Sequence, residues 1–314
     1  MKRHLPLLLL LAAAAVSMVG GGLPDGPLRE AVMELRLRRV ISGAVVGAGL
    51  STSGALMQCL LGNPLADPFL LGMSNGASLL AVAAVVVAGA GPWVGPAGAV
   101  GALVAAAIVA AIARDGGDLL PPTRLILAGV ALAAVMGSLT TLLLQVAPAE
   151  GTLRATLFWT SGSLGATPDS WTVAVGLTVL VTLGWTTRRA GWMDRLLLGD
   201  EVARSLGVPT RRFRPALLGL AALLTGGCVA VGGLIGFVGL VAPHVGRLLW
   251  GPAHGRLLPR SALIGAAIVV GADFVARTAL YPRELSVGVL TALLGGPVFL
   301  GLLRGRSYAF GTSP

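Results

Sequence analysis

Charged residues are scarce in this sequence. Only 11% of its 314 residues are Asp, Glu, Lys or Arg, whereas 55% are hydrophobic and the mean hydropathy is +0.86. A soluble domain carries roughly 25% charged residues, and a chain with far fewer cannot cover a surface that faces water. We therefore expect lipid to be the solvent of this chain, and a soluble domain with one apolar core is disfavoured.

The residues that most enzymes use for catalysis and metal binding are also scarce. Lys2 is the only lysine, and a nucleotide-binding Walker A loop needs a lysine on the phosphates, so this chain cannot hydrolyse ATP alone. Cys59 and Cys228 lie in separate apolar runs without a CxxC pair, and the three histidines are scattered. The sequence predicts no metal site, no bound cofactor and no enzyme activity of its own.

The charge that is present is mainly positive. The chain has 23 Lys and Arg against 13 Asp and Glu, which gives a net charge of +10. These cations form short clusters between apolar runs, a pattern that sets the orientation of membrane proteins. No nucleic-acid-binding motif accompanies them, so we expect a membrane rather than nucleic acid as the partner of these charges.

Long uncharged runs predict the membrane spans. A transmembrane helix needs about 20 apolar residues, and the run 69–113 is long enough for two helices with a Gly- and Pro-rich turn between them. The first run follows Lys2 like a signal peptide but lacks a clear cleavage site, so we interpret it as a first span. The predicted spans are 5–23, 40–61, 69–88, 95–113, 124–147, 170–187, 214–233, 236–250, 259–279 and 285–303.

These spans define an all-α, polytopic membrane protein with about ten transmembrane helices in a single domain, residues 1–314. An even number of spans places both termini on one side of the membrane. Most of the 23 Lys and Arg residues fall on that side, so the positive-inside rule favours cytoplasmic N- and C-termini.

The largest polar segment inside the chain, 188–214, falls on the same predicted cytoplasmic side. Within it, Gly199 and Asp200 open a short helix that Gly207 closes. An isolated helix of this length is marginal in water, so either the membrane domain or a partner must hold it.

An ion-coupled secondary carrier is the alternative function. Such a carrier uses buried carboxylates as ion relays, and Asp273 is the only acidic residue well inside a predicted span. Arg277 follows it by one helical turn, which favours a paired structural group over a relay.

Four segments of the sequence resemble one family. They are 36–78 (RLRRVISGAVVGAGLSTSGALMQCLLGNPLADPFLLGMSNGAS), 198–208 (LGDEVARSLGV), 232–266 (GGLIGFVGLVAPHVGRLLWGPAHGRLLPRSALIGA) and 284–304 (ELSVGVLTALLGGPVFLGLLR). Together they resemble the FecCD-type permeases of binding-protein-dependent ABC importers, which carry iron–siderophore complexes, haem or vitamin B12. The resemblance runs from about residue 30 to residue 306.

This resemblance implies a homodimeric type II ABC importer permease in the cytoplasmic membrane, with its transport path along the two-fold axis. Its partners would be a second copy of itself, two ATP-binding cassette subunits that bind ATP and Mg²⁺, and a periplasmic or lipid-anchored substrate-binding protein. The two classes of partner would bind at opposite ends of the permease. By resemblance, Arg36, Arg39 and Arg277 on the outer face would bind acidic residues of the substrate-binding protein. A coupling segment at about 190–213 would bind the ATPase through Gly199, Asp200, Glu201, Arg204, Leu206 and Gly207.

The resemblance also implies gates at the cytoplasmic end of the path. Asn63 and Leu65 resemble the first gate, and Pro122 and Thr123 occupy the position of a second one. Asn63 and Asp67 can equally serve as helix caps beside prolines, and the two roles are compatible.

The cargo stays open between a siderophore, haem and a corrinoid. We expect Met136, Thr140, Thr141 and Gln145 to share a face of the fifth span and to line either the path or a helix–helix interface. Arg154, close in sequence to Phe158 and Trp159, suits a planar anionic ligand such as haem. The same group suits a carboxylate siderophore, or a belt of interfacial aromatics.

Overall fold

The computed structural model describes residues 4–20, 26, 28–114, 120–147, 156–157, 159–165 and 167–304. This part of the chain contains helices and no strand. A short 3-10 helix spans Pro68–Leu71. The α-helices are α1 Leu5–Val19, α2 Leu28–Leu61, α3 Met73–Ala88, α4 Val94–Ala113, α5 Pro122–Val146, α6 Asp169–Arg188, α7 Ala190–Leu196, α8 Asp200–Ser205, α9 Thr210–Gly232, α10 Val238–Trp250, α11 His254–Thr278 and α12 Val287–Arg304.

The all-α prediction is confirmed, and a helix lies at each of the ten predicted spans. Each predicted span overlaps one of the helices α1–α6 and α9–α12, and the two remaining helices, α7 and α8, lie in the polar segment 188–214. Six described helices are long and apolar enough to cross a membrane, namely α2, α4, α5, α6, α9 and α11. Three shorter apolar helices, α1, α3 and α12, accompany them.

The start of α2 differs from the prediction. The second span was expected to begin at residue 40, because six charged residues interrupt the apolar run before it, but α2 begins at Leu28. The helix continues through these charges because Arg36 and Arg39 point into the protein, where acidic side chains and carbonyl groups from other helices receive them.

Helix α2 lies at the centre of the fold. It packs against α6, α9, α10 and α11, and its side chains are mostly buried from Ser42 to Leu61. Glycines permit these close approaches: a Cβ atom on Gly47 would overlap the backbone of Gly265 in α11, and one on Gly54 would overlap the backbone of Gly239 in α10. Small residues at helix crossings are expected in lipid, where apolar burial adds little drive for association.

The remaining helices surround this centre. Helices α3 and α4 form a pair, α4 packs on α9, and α1 packs along α11. Helix α5 packs on α3 and α4 but leaves most of its surface open, with Leu127, Val130 and Leu142 more than half exposed. An apolar surface of this kind needs lipid or another subunit against it.

Candidate functional site

The predicted coupling helix is present as α8. Gly199 precedes it with a φ of 97° and Gly207 follows it with a φ of 82°, values that only glycine adopts at little cost. The backbone N–H of Val208 donates to Ala203 O (2.9 Å) and that of Gly207 donates to Arg204 O (3.0 Å), which forms a Schellman motif. The two glycines therefore fix both ends of a helix that is too short to be stable alone.

Helix α8 presents most of the side chains predicted to bind the ATPase outward. Ala203 is fully buried beneath it, whereas Glu201, Arg204, Leu206 and Gly207 are exposed, together with Gly199. Leu198, Val202 and Leu206 are 60%, 45% and 48% exposed. Of these, the sequence predicted a role only for Leu206. Leu198 and Val202 could also have been found, because three apolar residues spaced four apart lie on one face of a helix. They add an apolar patch to the acidic start and basic end of α8.

Helix α7 fastens this segment to α11. The Asp194 carboxylate accepts a hydrogen bond from the backbone N–H of His254 (3.0 Å), and its Oδ1 lies 2.6 Å from the ring Nδ1 of the same residue. His254 is fully buried. Burial of the Asp194 carboxyl favours its neutral form, but the bonds from His254 outweigh burial and hold the pKa of Asp194 below its usual value.

Arg214, near the start of α9, links α8 to the C-terminal end of α2. Its Nη1 donates to Asp200 Oδ1 in α8 (2.9 Å), and its Nη2 donates to the carbonyl oxygen of Leu60 in α2 (2.7 Å). The side chain is only 6% exposed, and Asp200 is 27% exposed. Sequence reasoning missed this residue, because nothing in the pattern RRFR separates the one buried arginine from its exposed neighbours.

The first predicted gate lies directly after this end of α2. Asn63 is exposed, and its Oδ1 accepts a hydrogen bond from the Leu65 N–H (2.9 Å). Asp67 caps the 3-10 helix by accepting from the Phe69 N–H (2.9 Å). Helix capping is confirmed for Asp67, whereas Asn63 closes a local turn and caps no helix. The gating role of Asn63 and Leu65 stays a prediction.

Two further side chains that the sequence did not indicate hold the gate loop, residues 62–67. Gln58 is fully buried and its Nε2 donates to Ala66 O (3.2 Å), across the loop. Arg247 from α10 donates to Gln58 Oε1 and to Pro64 O. The loop is therefore held from its own helix and from α10.

The second predicted gate begins α5. Pro122 occupies the first turn of that helix and is half-buried, and Thr123 is exposed. The 3-10 helix packs against α5 at Gly129, where a Cβ atom would lie 2.8 Å from Leu70 O. The two predicted gates thus belong to neighbouring elements.

The three arginines predicted to lie on the outer face come together around one cavity, where they are largely buried. Arg39 bonds Asp273 through Nε (3.0 Å) and Nη2 (2.8 Å) and Glu284 through Nη1 (2.9 Å). Arg277 Nε also donates to Asp273 (3.1 Å), which confirms that this acid is a paired structural group. Arg36 donates to Met18 O in α1 (2.8 Å).

A cavity of about 240 Å³ opens beside these side chains. Arg36, Arg39 and Arg277 line it together with Tyr281 and Glu284. Tyr281 and Glu284 are 83% and 53% exposed, so they form the accessible rim around the guanidinium groups.

The predicted path residues lie on α5. Met136 is buried, Thr140 is half-buried and Gln145 is exposed, and the hydroxyl group of Thr140 donates to the Met136 carbonyl of its own helix (2.8 Å). Because the Thr140 hydroxyl group already donates to its own helix, it does not offer a hydrogen bond to a group outside α5. Arg154 and Phe158 lie outside the described residues.

The chain resembles a set of known transport proteins over nearly its whole length. The FecCD transport family matches residues 8–305. The cobalamin import system permease protein BtuC of Halobacterium salinarum is 42% identical over 93% of this chain and 82% of that protein. The hemin transport system permease protein HmuU of Yersinia pestis is 41% identical over 86% of this chain and 82% of that protein.

A solved structure shows the same fold. It is described as an inward-facing conformation of a metal-chelate type ABC transporter, and it matches with a TM-score of 0.86 and 29% identity. The match covers 95% of this chain and 97% of the solved one. The chain is therefore a member of the FecCD transport family, a family of ABC transporter permease subunits that are not themselves enzymes.

Proposed function

We propose that this chain is the permease subunit of an ABC importer of large metal chelates in the cytoplasmic membrane, with both termini in the cytoplasm. A second copy of the chain completes the transport path, two ATP-binding subunits bind at α7 and α8, and a substrate-binding protein docks on the opposite face. The cargo is a cobalamin or haem, and an iron–siderophore complex is the alternative.

The surface of α8 carries this proposal. It combines exposed Leu198, Val202 and Leu206 with acidic residues at the helix start and Arg204 at its end. A six-residue helix with that much apolar exposure needs a protein partner. Because Lys2 is the only lysine, this chain lacks an ATP site of its own, so the partner that binds α8 supplies the hydrolysis.

The second copy is supported by α5. This helix crosses the membrane with most of its surface open, and its hydroxyl groups bond back to its own carbonyls at Ser138 (2.9 Å), Thr140 (2.8 Å) and Thr141 (3.1 Å). A path lined by such a face offers a large cargo few strong ligands. The cargo can then leave as readily as it enters.

Docking of the binding protein is supported by the outer cavity. An acidic side chain that enters it would meet Arg36, Arg39 and Arg277, and it would replace Glu284, the more exposed of the two acids already bound there. Charge pairs of this kind steer association and fix register more than they add affinity.

Cargo class is supported by the relatives. Two proteins more than 40% identical to this chain are named for cobalamin and for hemin, and the similar solved structure is named for metal chelates. All are large metal complexes, which agrees with a path of weak ligands.

The test is uptake into proteoliposomes that contain this chain with an ATP-binding subunit from the same genome and its binding protein. We expect labelled cobalamin or hemin to enter only when ATP is present on the ATPase side. Uptake that persists without ATP and stops when an ionophore removes the ion gradient would instead establish the ion-coupled carrier. ATP-driven uptake of a ferric siderophore, without uptake of cobalamin or hemin, would change the proposed cargo but support the proposed ABC importer.

A further inference from the structure

Arg214 joins the predicted coupling helix α8 to the C-terminal end of α2, directly before the predicted gate loop. We propose that Arg214 is a positioning residue that makes α8 and the inner end of α2 move as one body, so that motion of the ATPase reaches the gate loop. This inference rests on the proposed function, since it assigns a route for the motion that the ATPase supplies.

The geometry of the guanidinium group carries the first step. Nη1 and Nη2 are the two ends of one planar fork, and they bind a carboxylate of α8 and a backbone carbonyl of α2 at 2.9 and 2.7 Å. A planar fork holds two acceptors in a fixed relation. When Asp200 moves, Leu60 is therefore expected to move with it by nearly the same distance.

Burial of the same group carries the second step. Arg214 is 6% exposed, and Asp200 is the acidic side chain that it pairs with in the described structure. Separation of α8 from α2 would leave a charge away from water without its carboxylate, which is strongly unfavourable. Moving the two helices together keeps the pair intact and avoids this penalty.

The carbonyl that Arg214 binds lies at the end of α2, beside the gate. The last carbonyl groups of a helix lack intrahelical partners and carry its negative dipole end. The Arg214 guanidinium caps one of them at Leu60, and Asn63 follows three residues later. On the other side of the loop, Arg247 binds Pro64 O from α10, so a shift of Leu60 alone must change the shape of the loop.

The test is the number of cargo molecules imported per ATP hydrolysed by the reconstituted importer. We expect Arg214→Gln and Arg214→Lys to assemble with the ATPase and to hydrolyse ATP, while import per ATP falls about tenfold. Arg214→Lys keeps the charge but cannot bind both acceptors in the same geometry. The matched control is Arg188→Gln, an exposed arginine at the end of α6, which should import as the unchanged protein does.

A double-mutant cycle with Asp200→Asn identifies the link itself. If Asp200 and Arg214 act as a unit, the double variant should lose no more coupling than Arg214→Gln alone. Losses that multiply would overturn the proposal, as would full import per ATP in an assembled Arg214→Gln complex. If Arg214→Gln fails to fold, Arg214→Lys and Asp200→Asn give the same readout. Absence of ATP-driven uptake in the unchanged protein would instead refute the proposed function.

Discussion

Arginines fasten helix α2 at two levels that use different acceptors. One level lies around Arg39 in its first half, at the end of the membrane domain predicted to be outer, and the other lies at its C-terminal end, predicted to be inner. At the outer end, Arg39 binds two carboxylates, Asp273 and Glu284, and Arg277 shares Asp273 with it. At the inner end, Arg214 binds one half-buried carboxylate and a backbone carbonyl, and Arg247 binds Gln58 and another carbonyl.

The difference in burial of the acids gives the two ends different mechanical properties. Asp273 is 1% exposed and lies between two arginines of separate spans, so it can leave neither of them without stranding a charge. Asp200 is 27% exposed and lies on a short helix in the polar segment 188–214. The outer end is thus a closed junction of long helices, and the inner end is a junction between a long helix and the exposed helix α8, where we propose that the ATPase binds.

The largest effect is expected when the outer junction loses its central acid. Asp273→Asn leaves Arg39 and Arg277 buried without their shared carboxylate, and we expect the free energy of unfolding in detergent to fall by about 3–5 kcal/mol. The measurement is denaturant unfolding of the purified chain. Arg38→Gln is the matched control. Arg38 is next to Arg39 on α2, but its side chain is 46% exposed and pairs with Glu34 and Asp169.

We expect this control to lose about 0–1 kcal/mol, as exposed pairs do. Similar losses in both variants would mean that burial of Asp273 adds nothing and that the outer end is held like an ordinary surface.

A somewhat smaller effect is expected where packing rather than charge holds the inner half of α2. Gly54→Ala would place a Cβ atom against the backbone of Gly239 and force α10 away, at a cost of about 1–3 kcal/mol. The control is Gly219→Ala in α9, where no described atom lies within 4 Å of the new Cβ and alanine favours the helix by up to about 1 kcal/mol.

Thermal unfolding of the two variants side by side gives the comparison. If Gly54→Ala is as stable as Gly219→Ala, the inner end of α2 depends on its arginines alone, and the contrast between the two ends becomes sharper.

The sequence predicted the elements that local signals define. Apolar runs predicted the ten spans, and Gly199 and Gly207 predicted the ends of α8, because positive φ values are a local property of glycine. The prediction of the start of α2 was wrong, because a segment with six charged residues is expected to face water. Only the structure shows that Arg39 binds an acidic residue of α11.

The linking role of Arg214 has no signature in the sequence for a similar reason. Its second acceptor is the backbone carbonyl of Leu60, a group that every residue carries, in a helix far away along the chain. Patterns predict helices and their ends, whereas contacts between distant helices come from packing. The same holds for Gln58 and Arg247 around the gate loop.

The smallest effect is expected at the third fastening, between α7 and the start of α11. The bonds from His254 outweigh burial and keep the pKa of Asp194 below its usual value, so this carboxylate stabilises the fold above the unfolded pKa of about 3.9. That contribution is lost as the pH falls through the lower pKa of the folded state. Because the Asp194 side chain is 42% exposed, we expect Asp194→Asn to cost no more than about 1 kcal/mol at pH 7.

The check is thermal unfolding of the detergent-solubilised chain from pH 8 to pH 3. The midpoint of Asp194→Asn should lie below that of the unchanged protein near neutrality, and the two should converge below about pH 4. Equal midpoints of the two proteins over the whole pH range would show that the carboxylate charge is irrelevant. The backbone bond to the His254 N–H, which an asparagine oxygen can also accept, would then hold α7 in place by itself.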